Sequence, residues 1–271
     1  MVHRRIASSA RCFAATLTVV LALSAAGCAD RSMTTGSIAR PSGKPLEQMS
    51  AGELHGAAAS LGKAFAANPK DKTTAMRYAA VLQMNGKSEQ ALAVMRKLAI
   101  GYPSDRDVLA AYGKALAGAG QFEQALDAVR RAQTPEYPDW KLASAEGAIL
   151  DQLGQAKEAR ALYRRALDLK PNEPSVLSNL GMSYVLEGDL RTAETYLRSA
   201  TEQAGADSRV RQNLALVVGL QGRFDEAEQI ARQELSPEQA QANIAYLRSM
   251  LAQQNSWSQL KKDEKKGAGS T

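Results

Sequence analysis

The sequence predicts an all-α solenoid of helical hairpins, because small residues recur in columns spaced 34 residues apart. Glycine fills one column at six successive positions, and alanine fills a second column five residues further on. The glycines are Gly52, Gly86, Gly120, Gly154, Gly188 and Gly222, and the alanines are Ala57, Ala91, Ala125, Ala159, Ala193 and Ala227. A fixed period of about 20–50 residues is typical of proteins built from stacked repeats.

Further columns agree with a helix–turn–helix unit. Small residues occupy Ala79, Gly113, Gly147, Gly181 and Ala215, and a mostly bulky column holds Leu61, Met95, Val129, Tyr163, Leu197 and Ala231. Small residues let the two helices of a unit approach closely, and the bulky side chains fill the space toward the next unit. Each glycine of the first column is placed to end a helix in the left-handed conformation. Prolines at Pro69, Pro103, Pro138 and Pro171 then end the second helix.

This period and this order of small residues resemble the tetratricopeptide repeat. The resemblance implies a right-handed superhelical solenoid of helix hairpins, with about twelve helices and no strands. Five repeats are predicted over 72–241, starting near 72, 106, 140, 174 and 208. An N-terminal half-repeat over 50–71 precedes them, since Pro41 and Pro45 occupy the place of its first helix.

The ends of the chain are predicted to differ from the repeats. A signal peptide over 1–27 and a flexible tether over 28–49 precede the half-repeat. After Pro237 comes a capping helix, assigned to 242–255, with Ile244 and Leu247 on its apolar side. The tail over 256–271 mixes lysine with Asp263 and Glu264, so we expect it to be disordered.

The N-terminus has the three parts of a secretory signal. Arg4, Arg5 and Arg11 precede an uncharged run from Phe13 to Ala26, and small residues follow. A transmembrane helix is the alternative, but the 14 residues of this run would rise about 21 Å, short of the roughly 30 Å hydrocarbon core. General secretion is the default route, and the arginine pair leaves twin-arginine export as the alternative.

The segment from Leu23 to Cys28 resembles a bacterial lipobox, although Ala25 replaces the leucine usual three positions before the cysteine. The resemblance implies that Cys28 becomes the first mature residue and carries lipid. Because Cys12 leaves with the signal, Cys28 is then the only thiol and has no intramolecular disulfide partner. Ala29 in place of aspartate implies attachment to the outer membrane, facing the periplasm. An ordinary cleavage site is the alternative.

The composition gives little support for nucleic-acid binding or catalysis. The net charge is +6, and half of it lies in the first 27 residues, so no basic cluster is left to follow a phosphate backbone. His55 is the only histidine after that segment, and no phosphate loop, nucleophile elbow or metal-ligand spacing occurs. We therefore expect no enzyme, metal or cofactor. Carboxylates recurring at helical spacing are predicted to be solvated: Glu123, Asp127, Glu158 and Glu194.

Protein binding is the better prediction, since the first helices of the resembling repeats line a concave groove. The family's groove positions correspond here to Met76, Gln83, Lys114, Asp151, Asn179, Met182, Asn213 and Leu216. Asn179 and Asn213 lie 34 residues apart, and their amides are suited to hold the backbone of an extended peptide. The alternative is that the repeat merely tolerates asparagine there. The Lys and Arg pattern of a carboxylate clamp is incomplete.

Taken together, the lipobox, tether, repeats and closing segment Gln241–Leu251 resemble the TadD-type lipoproteins of tight-adherence (Flp) pilus systems. The resemblance implies a non-enzymatic adaptor that assists assembly or localisation of the pilus secretion machine. Its implied partners are a secretin or another pilus-assembly component, with the membrane engaged through the lipid on Cys28 and no nucleic acid. A generic periplasmic scaffold for cell-wall or secretion complexes is the alternative.

Overall fold

A computed structural model describes residues 45–268 of the chain. The predicted signal peptide, the lipidation site Cys28 and most of the tether lie outside the described residues. The described range contains twelve α-helices and a short 3-10 turn at Leu46–Gln48. Within that range there is no β-strand, only an isolated bridge between Thr134 and Tyr137. The prediction of an all-α solenoid with about twelve helices is confirmed.

The helices follow one another with short connections. They are α1 (Ala51–Ala67), α2 (Lys72–Met84), α3 (Ser88–Gly101), α4 (Arg106–Gly118), α5 (Phe122–Ala132), α6 (Trp140–Gln152), α7 (Ala156–Leu169), α8 (Pro174–Leu186), α9 (Leu190–Thr201), α10 (Ser208–Leu220), α11 (Phe224–Ala231) and α12 (Pro237–Ala268). The first helices of the five hairpins, α2, α4, α6, α8 and α10, begin at the residues that the sequence gives as repeat starts. The chain forms two compact units, one containing α1–α5 and the other α6–α12.

The last helix differs from its prediction. Instead of a capping helix over 242–255 and a disordered tail over 256–271, the backbone is helical from Pro237 to Ala268. Pro237 suits the first helical position, and Ser236 accepts a hydrogen bond from the Gln239 amide at 3.3 Å. The lysine, glutamate and glutamine of the tail are strong helix formers. Helix propensity therefore outweighs the mixed charge that predicts disorder.

Five of the six column glycines end a first helix. Gly86, Gly120, Gly154, Gly188 and Gly222 have φ between 72° and 82°. The residue after each glycine donates its amide to the carbonyl five positions earlier, as Lys87 does to Leu82 at 2.8 Å. The prediction is wrong for Gly52, which lies at the second residue of α1 and is absent from the positive-φ glycines of the described chain. No first helix precedes Gly52 among the described residues, so there is no helix for it to end.

Aspartates cap four of the five first helices. Asp71, Asp105, Asp139 and Asp207 each accept a hydrogen bond from a backbone amide in the first turn, at 2.8–3.3 Å. The corresponding residue before α8 is Glu173, which makes no such bond, and Pro174 occupies the first helical position there. A capping box between Ser50 and Glu53 begins α1. These caps fix where each hairpin begins.

The small-residue column brings the two helices of a hairpin into close contact. A Cβ atom built on Gly147 would lie 2.8 Å from Tyr163 Cε1 and 3.0 Å from the carbonyl oxygen of Ala159. At Gly181 the corresponding distances are 2.9 Å to Leu197 and 3.0 Å to the Ala193 carbonyl. Tyr163 and Leu197 are themselves at most 1% exposed. The glycines therefore set the distance at which the bulky column packs.

Replacing Gly147 with alanine should destabilise the second unit, because the added methyl group meets backbone that cannot move aside. We expect a loss of about 1–3 kcal/mol in the free energy of unfolding, seen as a melting temperature lower by about 2–4 °C per kcal/mol. The matched control is Gly56→Ala in the interior of α1, where a Cβ meets nothing within 4 Å. Helix propensity predicts that the control stabilises by about 0.5–1 kcal/mol; equal melting temperatures for both variants would contradict this role of Gly147.

An ion-pair network joins the second helices α9 and α11. Glu194 accepts hydrogen bonds from Arg223, from Arg198 at 2.8 Å and from the Gln221 side chain at 2.8 Å. The hydrogen bond from Arg223 is the main cause that lowers the pKa of Glu194 from 4.5 to about 2. The Glu194 side chain is only 15% exposed, so the prediction of a solvated carboxylate is wrong for it. The prediction holds for Glu123, Asp127 and Glu158, which are exposed.

Replacing Glu194 with glutamine should remove a pH-dependent part of the stability. A carboxyl whose pKa is lowered by folding stabilises the fold above its unfolded pKa, and this contribution disappears as the pH falls through the folded pKa. The wild type should therefore exceed Glu194→Gln by about 1–2 kcal/mol at neutral pH, and the difference should shrink between pH 4.5 and about pH 2. Chemical denaturation of both proteins across this pH range measures the difference in their free energies of unfolding. A difference that does not change with pH would rule out the Glu194 carboxylate as its source.

Candidate functional site

The predicted groove residues all lie on first helices. In the first unit, Met76 and Gln83 are on α2 and Lys114 is on α4. In the second unit, Asp151 is on α6, Asn179 and Met182 are on α8, and Asn213 and Leu216 are on α10. Lys114 is exposed, and the other seven are half-buried. Their hydrogen bonds show which of them join neighbouring helices.

In the first unit, two polar contacts tie neighbouring first helices. The Gln83 side chain donates to the Lys114 carbonyl at 3.2 Å. At the other end of these helices, Lys72 Nζ lies 2.7 Å from Asp105 and 3.3 Å from Asp107. The amide of Gln83 therefore links α2 to α4, and its part in binding a partner stays a prediction.

In the second unit, asparagine and serine form a ladder across three first helices. Asn179 Nδ2 on α8 donates to Ser144 Oγ on α6 at 3.2 Å. One repeat further on, Asn213 Nδ2 on α10 donates to Ser178 Oγ on α8 at 3.0 Å. Both serines are buried, and both asparagines are half-buried. We call Ser144, Ser178, Asn179 and Asn213 the asparagine ladder.

The ladder fixes the orientation of two side-chain carbonyls. Each asparagine uses its Nδ2 group in the bond to serine, while no residue of the described chain donates to Asn179 Oδ1 or Asn213 Oδ1. Packed helices lie about 8–10 Å apart, and three residues of an extended chain span roughly 10 Å. The two carbonyls are therefore suited to accept backbone N–H groups about three residues apart in one extended peptide.

Asp151 is occupied by the fold. Its carboxylate accepts hydrogen bonds from the Tyr163 hydroxyl at 2.9 Å and from the Ser183 hydroxyl at 2.8 Å. Burial raises the pKa of Asp151 above its usual value, although these two hydrogen bonds and the positive charge of Arg160 oppose the shift. The residue thus joins α6, α7 and α8, and its predicted role in binding stays untested.

The two apolar groove residues of the second unit have different surroundings. Met182 packs against the buried cluster that includes Leu197 and Val218. Leu216 follows Asn213 by three positions, so it lies on the same side of α10 as that rung of the ladder. Apolar side chains beside a few placed polar groups are common in ligand-binding sites.

Sequence reasoning found the asparagines and missed the serines that orient them. Ser144 and Ser178 are themselves 34 residues apart, and each precedes its asparagine by 35 residues. A search for polar pairs offset by one repeat plus one residue would have found both rungs. Among the described residues, no group of three or more His, Cys, Asp or Glu is placed to hold a metal ion. The helices of this same range include none that is both long and apolar enough to span a bilayer.

Comparison with known proteins identifies the repeats. Sequence profiles of the tetratricopeptide repeat match residues 81–139, 111–174, 150–217 and 209–233, and together they span more than half of the chain. The chain belongs to the tetratricopeptide-repeat family. Proteins of this family generally act as scaffolds for protein–protein interaction, and no catalytic family matches the chain. A search of curated proteins gives no significant match.

Solved tetratricopeptide-repeat structures share the fold. A protein from Parabacteroides merdae aligns with a TM-score of 0.63 at 14% identity, covering 72% of this chain and 78% of the other. PilW, a widely conserved type IV pilus biogenesis factor, aligns with a TM-score of 0.56 at 22% identity, covering 76% and 94%. PilF of Pseudomonas aeruginosa aligns with a TM-score of 0.50 at 21% identity, covering 71% and 90%. At these identities the likeness shows the fold alone.

The asparagine ladder should contribute a measurable coupling energy between repeats. In a double-mutant cycle of Asn179→Ala and Ser144→Ala, we expect a coupling of about 0.5–1.5 kcal/mol, because a buried hydroxyl loses its donor. The matched control pairs Asn213→Ala with Ser144→Ala, two residues that share no hydrogen bond, and its effects should add. Chemical denaturation measures both cycles, and additivity in the first would show that the Asn179 bond carries no energy.

Proposed function

We propose that this tetratricopeptide-repeat protein is a non-enzymatic adaptor, anchored by lipid on Cys28, that assists assembly or localisation of a tight-adherence pilus secretion machine. The asparagine ladder carries the binding part of the proposal. It presents two oriented carbonyls on neighbouring first helices, with Leu216 beside one of them. An extended segment of a protein partner is the ligand that fits this chemistry.

The anchoring part rests on the sequence around Cys28. A lipid anchor and a tether of about 20 residues would hold the repeats roughly 25 Å from the membrane surface on average. The residue after the cysteine, Ala29, favours the outer membrane by resemblance. An adaptor in that position meets outer-membrane partners, such as a secretin, on the periplasmic side.

The pilus part rests on the closing segment Gln241–Leu251, which lies in α12. Ile244 and Leu247 are buried on the preceding hairpin, whereas Tyr246 is 62% exposed. The segment therefore has a structural side and a side open to partners. PilW provides a precedent for this fold in a pilus biogenesis factor. The alternative function is a generic periplasmic scaffold for cell-wall or secretion complexes.

Deleting the gene in its own host tests the proposal. We expect loss of surface Flp pili and less secretin in the outer membrane, restored by the wild-type gene. A Cys28→Ser version should fold but lose membrane fractionation and lipid labelling, and it should fail to restore the pili. Normal pili after deletion, together with altered cell-wall morphology, would favour the generic scaffold and overturn the pilus role.

A second set of variants separates binding from anchoring. Asn179→Ala with Asn213→Ala should keep membrane attachment but reduce capture of the secretin at least about tenfold. Gln212→Ala is the matched control, because Gln212 is an exposed polar residue of α10 whose side chain bonds only Ser208 on the same helix. Equal capture by the control and the double variant would exclude the asparagine ladder as the binding site.

A further inference from the structure

The described part of the solenoid begins and ends with half of a repeat. Its first helix, α1, is the second helix of a repeat. Its last helix, α12, carries the first-helix positions of a sixth repeat from residue 242 onward, and no second helix follows it among the described residues. Each end therefore exposes a helix face that every full repeat buries. The two faces can be compared residue by residue with the same positions in the complete hairpins.

The face left open on α1 consists of Ala57, Leu61 and Ala64. Ala57 and Leu61 are half-buried and Ala64 is exposed. In the next four repeats the residues at these positions are at most 2% exposed: Ala91, Met95 and Leu98; Ala125, Val129 and Ala132; Ala159, Tyr163 and Ala166; Ala193, Leu197 and Ala200. The difference follows from the missing first helix, since the described residues before α1 form only the 3-10 turn.

The face left open on α12 includes Ala245 and Ser249, both exposed. Ser249 lies 34 residues after Ala215 and thus continues the small-residue column. Every earlier member of that column is buried, including Gly181, which abuts Ala193 and Leu197. Ala245 continues a position that Leu177 and Arg211 hold in the two repeats before it. Leu177 packs with Ala200, and Arg211 pairs with Glu234, each within its own hairpin. Small side chains at these two positions leave room for a second helix.

We infer that α12 of one copy of this chain packs on α1 of another copy and completes a repeat between them. The register that pairs Gly181 with Ala193 and Leu197 pairs Ser249 with Ala57 and Leu61 of the second copy. In the same register Ala245 meets Ala64, as Leu177 meets Ala200. The association is head to tail, so each copy uses a different surface. A single helix pair makes a small interface, so the association is weak and depends on concentration.

Sedimentation of the full-length chain in detergent, over a series of concentrations, tests this inference. The average mass should rise with concentration for the wild type. Ala64→Arg blocks the α1 face and Ser249→Arg blocks the α12 face, and each should weaken association at least about tenfold. Controls at other exposed positions of the same two helices, Ala59→Arg and Asn243→Arg, should associate like the wild type.

Mixing the two blocked variants gives the decisive result. At a concentration where the wild type associates, each variant alone should be mainly monomeric. The mixture should form a species of two chains and nothing larger, because one intact α1 face meets one intact α12 face. Pairing in the mixture also shows that both variants are folded at their intact ends. A wild type that stays monomeric at its highest soluble concentration would overturn the inference. So would association that both blocked variants retain, or a mixture that does not pair.

Discussion

The close approach of the two helices in each hairpin is the constraint on which the fold depends. Glycine or alanine in the small-residue column allows the partner helix to come near, and the bulky column then fills the space that remains. At Gly147 and Gly181 the nearest partner atoms include a backbone carbonyl 3.0 Å from where a Cβ would lie. Because that backbone has no rotamer to change, the column tolerates only small side chains.

Polar residues add specificity to this packing in two different ways. Glu194 is paired with two arginines near the surface, and its pKa falls because the charged form is stabilised. Asp151 is buried among hydroxyl groups, and its pKa rises because burial disfavours the charge. Both join successive repeats of the second unit. The asparagine ladder also joins repeats, but it leaves two carbonyl oxygens available, and this is what suits it to bind a peptide.

The sequence predicts the backbone of the repeats well and their polar contacts poorly. Glycines that end helices and the starts of the first helices follow from local conformational preferences that act within one repeat. The aspartate caps are equally local and were visible as an acidic column that includes Asp105 and Asp139. By contrast, the bonds of Asn179 and Glu194 join residues of different repeats. Such partners depend on how helices stack, which no local pattern of the sequence specifies.

Hydrogen exchange of the dilute, monomeric chain tests most directly whether hairpin packing determines stability. If it does, amides of α4–α9, in the hairpins with glycine in the small-residue column, should exchange most slowly. Among helices α1 to α11, the amides of α1 should exchange fastest, because the partner helix of α1 is missing among the described residues. Protection of α1 equal to that of α7 would contradict the account, because it would show that a second helix is stable without its first.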